Sequence, residues 1–154
     1  MLTPMSPVAF ALLTAAVAVG CSDPPTLSCV DVDLACAPLY PPTWANVYAN
    51  TIVRTCATGG GACHAAAGAQ GGLVLEGEDV AYAALTGPRA DVVPGDAACS
   101  PMLERIFSPS ASLLMPRGAR LSDAEACAVA RWVAAGAPGP AELDAGVDAT
   151  GAPP

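Results

Sequence analysis

Two cysteines and the chain's single histidine fall within one nine-residue stretch, CATGGGACH, residues 56–64. His64 directly follows Cys63. With seven cysteines in 154 residues, a lone histidine placed at random would follow one roughly one time in twenty. Cys-x-x-Cys-His is the pattern of covalent c-type haem attachment, in which two thiols add to vinyl groups and the adjacent imidazole ligates iron. Here six residues separate the cysteines instead of two. Gly59, Gly60 and Gly61 disfavour a helix, so the insert is expected to bulge outward. The same spacing would also close a Cys56–Cys63 disulfide, leaving His64 as a surface imidazole. Zinc is a weaker alternative, because adjacent Cys and His side chains rarely converge on one tetrahedral ion and no fourth ligand is evident. A hydrolase is disfavoured for a similar reason, since neighbouring side chains point apart and nothing supplies a third orienting group.

The elements around this stretch must position it. Residues 43–55, TWANVYANTIVRT, read as an amphipathic helix capped by Thr43, with Trp44, Val47, Tyr48, Thr51 and Ile52 on one face. It runs straight into Cys56. A short helix is expected over DVAYAAL, residues 79–85, ended by Thr86-Gly87-Pro88. Val92 to Asp96 reads as an extended run entering a turn. Ser100-Pro101 opens a helix over PMLERIF, residues 101–107. A loop then carries Met115-Pro116-Arg117-Gly118. The strongest helix is 122–136, with a capping box at Ser122-Asp123-Ala124-Glu125 and a stop at Gly136 and Pro138.

The chain's ends read differently. Val8 to Val19 is an apolar run of twelve residues, too short to span a bilayer but suited to the core of a signal peptide, assigned to 1–20. It ends in Ala18-Val19-Gly20-Cys21, which resembles a bacterial lipobox with Cys21 as the lipid-modified residue. Position 18 is Ala where Leu is usual, and no Lys or Arg precedes the apolar run. An ordinary secretory signal is the alternative. Ser22 after the cysteine is compatible with the outer membrane. Residues 21–42, rich in proline, read as a tether, and residues 138–154 as a disordered tail. Seven cysteines in a short chain suit an oxidising compartment. Cys29 is expected to pair with Cys36 across a small loop, and Cys99 with Cys127. The balance of 14 carboxylates against 6 basic residues shows no basic patch and argues against nucleic acid as a partner.

Over residues 43–137 the order of these pieces resembles the small c-type cytochrome modules of bacterial envelope lipoproteins. An amphipathic helix precedes Cys56, Cys63 and His64. Gly72-Leu73-Val74-Leu75 and Ala81-Tyr82-Ala83-Ala84-Leu85 follow. Then come Val93-Pro94-Gly95-Asp96 with Ser100, Leu103 and Arg105. Met115-Pro116 with Gly118 resembles an axial-methionine loop, and Leu121 to Glu125 with Arg131-Trp132-Val133 the closing helix. The six-residue insert departs from the family pattern. The resemblance implies an all-α, cytochrome c-like bundle of three to five short helices, its first and last helices in contact near Trp44 and Trp132. It implies haem c held by Cys56 and Cys63, with His64 and Met115 as axial ligands. A methionine packed in a core or loop is the alternative for Met115. The function it implies is a non-enzymatic electron carrier, lipid-anchored at the outer membrane or the periplasmic face and exchanging electrons with a redox partner protein. The alternative is a haem-less structural or binding module of the same fold with a Cys56–Cys63 disulfide.

Overall fold

The computed structural model describes residues 28–58 and 63–140. The expected signal peptide, Cys21, Gly59 to Gly61 and most of the expected tail lie outside the described residues. The described residues form four helices and no strand, an all-α fold. None of these helices is long and apolar enough to cross a membrane.

The first helix, α1, starts at Trp44–Val47 and continues as wider, π-helical turns over Tyr48–Cys56. Thr43 caps it, its side chain accepting from the Asn46 amide. Next come α2 (Glu78–Thr86), α3 (Pro101–Phe107) and α4 (Asp123–Ala134). Ser122 and Glu125 form the reciprocal capping box at the start of α4. At its far end Gly136, at φ +97°, donates to Val133, and Ala137 donates to Trp132. This pairing satisfies carbonyls that the last turn leaves open, and a left-handed residue after the helix suits glycine. Between α2 and α3, Val93-Pro94-Gly95-Asp96 closes a turn through an Asp96–Val93 hydrogen bond, with Gly95 at φ +83°.

α4 is the centre of the core. Ala126, Cys127, Ala128, Val129, Ala130, Trp132 and Val133 are all buried. The alanines let neighbours approach closely, while Trp132 stacks at 5.1 Å, centroid to centroid, on Trp44. Tyr82 meets Trp44 edge-on at 5.3 Å. The contact between the first and last helices therefore forms where the two tryptophans were expected to meet. Fully burying each large side chain contributes about 1.5–3 kcal/mol.

Three expectations change. The four outer cysteines are bonded, but as Cys29–Cys99 and Cys36–Cys127, not Cys29–Cys36 and Cys99–Cys127. Residues 28–42 are consequently not a free tether. They form a strap laid along the domain, fixed by both disulfides and by Val30–Ala98 and Leu39–Ala124 backbone hydrogen bonds. Val32 and Tyr40 pack against the core from this strap. Proline keeps the strap out of a helix without keeping it off the surface. At the other end, residues expected to begin the tail are docked. The Pro138 carbonyl accepts from Trp132 Nε1. A side chain at Gly139 would sit 2.8 Å from the Tyr82 ring, so only glycine fits there.

Candidate functional site

Four side chains singled out in the sequence, Cys56, Cys63, His64 and Met115, line one cavity of ≈ 370 Å³. They arrive from three local structures: the end of α1, the loop of Cys63 and His64, and the loop of Met115. Cys56 ends the π-helical part of α1, where the Ala57 amide donates to Ile52, five residues back. His64 is tied on both sides: its amide donates to the Cys56 carbonyl at 3.0 Å, and its carbonyl accepts from Leu75 at 2.7 Å. The Cys63 carbonyl accepts from Gln70. The Met115 amide donates to the Arg105 carbonyl at 3.1 Å, which docks the methionine loop onto α3.

The Cys56–His64 bond is the notable one. In Cys-x-x-Cys-His the histidine stands four residues after the first cysteine, so one helical turn makes this same bond. Here the partners are eight residues apart, and the bond survives the insertion. The two ends of the insert are thus held as one helical turn would hold them.

The cavity walls are mainly apolar, with Leu73, Leu75, Leu85, Ile106 and Leu121 among them. The polar groups beside them are chemically distinctive. Cys56 and Cys63 are free thiols. Burial pushes the Cys56 thiol up to about 12, and the neighbouring Cys63 adds to the effect. His64 Nδ1 is buried and has no hydrogen-bond partner among the described residues. Such an atom costs about 1–3 kcal/mol until something satisfies it.

Sequence reasoning missed the cavity's charge. Three of the chain's six arginines, Arg89, Arg105 and Arg117, line it. Arg89 is engaged, with Nε on Asp91 at 2.8 Å and Nη1 donating to the Gly71 carbonyl at 2.7 Å. Arg105 and Arg117 form no ion pair among the described residues. Their spacing in the sequence carries no signal, because α3 and the methionine loop meet only in the fold. The role of Tyr40 was also missed. From the strap, its hydroxyl hydrogen-bonds the buried Thr51 of α1. Burial raises the Tyr40 pKa above the ordinary phenol value, and the hydrogen bond with Thr51 opposes that rise. Among the described residues no three His, Cys, Asp or Glu side chains converge as a metal cluster.

No curated protein and no solved structure matches the chain. Residues 61–117 match the family model described as Planctomycete cytochrome C. That stretch opens just before Cys63-His64, runs through α2 and α3 and closes on the loop of Met115, so it spans the cavity's walls from histidine to methionine. Together with the all-α fold, the match supports a cytochrome c-like module in this chain.

Proposed function

We propose that this protein is a haem c-binding electron carrier, held at the bacterial cell envelope by a lipid on Cys21. The observation that carries the reading is the convergence of Cys56, Cys63, His64 and Met115 on one apolar cavity. The residues fit the group. Two reduced thiols are what thioether attachment requires, each adding S–H across a vinyl double bond. His64 and Met115 would offer an imidazole nitrogen and a soft thioether to its iron. Arg105 and Arg117 place unpaired guanidinium groups where carboxylates of a bound group would be recognised. When bound, haem supplies a one-electron iron couple. The chain's own part is to exclude water with its apolar walls and to hold the donors in place.

The lipid anchor and the envelope location rest on the sequence around Cys21, and the partner is a redox protein. A haem-less module of the same fold draws support from the two disulfides, which tie the strap to the core without any cofactor. As a structural module it gives no role to the lined cavity, as a binding module it would use the cavity for another ligand, and in either case Cys56 and Cys63, which it would join, are free. The two readings separate on the visible spectrum and denatured mass of protein made alongside haem-attachment machinery.

A further inference from the structure

The stretch that delivers Cys56 to the cavity is an unusual one. Nine residues, Tyr48–Cys56, run in π-helical turns, where such turns more often occur singly and at functional sites. An α-helix advances about 100° per residue, so returning one turn to the tighter α spacing would carry Cys56 about 100° round the axis and off the cavity. Something must hold the wider register. The sequence of α1 offers no proline or glycine to do so. The strap does: Tyr40 reaches in and hydrogen-bonds the hydroxyl of Thr51, in the middle of the π-helical stretch and fully buried. A helical threonine otherwise turns its hydroxyl back onto its own helix. Tyr40 is itself fixed, because Leu39 donates to Ala124 and Cys36 is bonded to Cys127.

We propose that Tyr40 is a positioning residue for Cys56: through Thr51 it holds the π-helical register that presents the thiol to the cavity. This rests on the reading of Cys56 as a haem anchor, and the strap then becomes part of the attachment apparatus. The thiol Cys56 offers must add S–H across a vinyl double bond, sulfur to one carbon and hydrogen to the other, with no net change of electrons. Only a thiol aimed into the cavity can do this.

The test compares wild type with Tyr40→Phe, Thr51→Val and the double variant, as full-length, haem-free chains with both disulfides formed. Losing a hydrogen bond of ordinary strength should open the register about fivefold more often. Amide exchange at Ala57 and His64, whose bonds close this region, should therefore quicken about fivefold. Exchange at Ala90, whose amide closes a turn onto the Gly87 carbonyl away from the strap and opens locally, should stay unchanged. Alkylation of Cys56 relative to Cys63 should change by a similar factor, and the double variant should go no further than either single one. In haem-loaded protein, Tyr40→Phe should raise the share of chains attached through Cys63 alone. Unchanged exchange at Ala57 and His64, or equal quickening at Ala90, would overturn the proposal. Because the exchange test uses haem-free protein, it can fail while wild type still loads haem. It can also succeed while wild type loads none, which would count against the haem reading alone.

Discussion

The His64 amide and the Cys56 carbonyl meet at 3.0 Å across eight residues of sequence, the contact that a four-residue spacing would make in one helical turn. If this closure matters, the insert is dispensable. Deleting residues 59–62 leaves Cys-Ala-Thr-Cys-His, the short form of the pattern. This variant should attach haem at least as completely as wild type when the two are made side by side, measured as the haem-bearing fraction by mass. A stable, folded variant that no longer takes up haem would show that the longer loop is itself required.

Met115 reaches the cavity because its amide is bonded to Arg105 on α3. Met115→Ala should leave haem covalently attached and change its axial ligation. The reduction potential should fall by about 0.1 V or more, a modest part of the roughly 0.8 V over which axial ligands tune haem. Potentiometric titration of the two proteins measures this, and equal potentials would assign Met115 to the wall alone.

The disulfides join residues 70 and 91 positions apart. In the chain-entropy picture each closes a loop worth about 4–5 kcal/mol. Cys36→Ser with Cys127→Ser should lower unfolding stability by roughly that amount in denaturant titrations at constant slope. Peptide mapping without reduction should recover Cys29 with Cys99 and Cys36 with Cys127.

Cys56 is neutral when folded because burial pushes its thiol up from the ordinary 9.0 to about 12. The folded state thus holds a proton that the unfolded state releases. Its contribution to stability is fully present below about pH 9 and is lost as pH rises toward 12, by up to about 1.4 kcal/mol per pH unit. Haem-free wild type should therefore lose stability over that range more steeply than Cys56→Ala. Parallel stability curves for the two proteins would show that the thiol is not held neutral by the fold.

Local chemistry made much of this architecture legible. The capping box at Ser122 and Glu125 and the proline at the start of α3 follow from short-range patterns, and the Trp44–Trp132 contact from the family resemblance. Ser100 stands at the cap position as expected, yet its hydroxyl turns inward, accepting from Val93 and donating to Asp96. The cysteine pairing was not legible, because nearness in sequence stood in for nearness in space. Cys29 and Cys36 are close neighbours along the strap, but the strap runs past α3 at one and α4 at the other. The π-helical register was equally hidden, since it is held by Tyr40 from outside the helix. Cys56, Cys63, His64 and Met115 could be named from motif and order, whereas Arg105 and Arg117 join them only through the meeting of α3 with the methionine loop.

The most direct measurement is the denatured mass and visible spectrum of the chain made in cells equipped for c-type haem attachment. The account predicts a red protein whose mass, after denaturation, exceeds that of the polypeptide by one haem, with the addition mapped to Cys56 and Cys63. His64→Ala should abolish the low-spin spectrum. A colourless protein with Cys56 and Cys63 unmodified, or joined to each other, would contradict it.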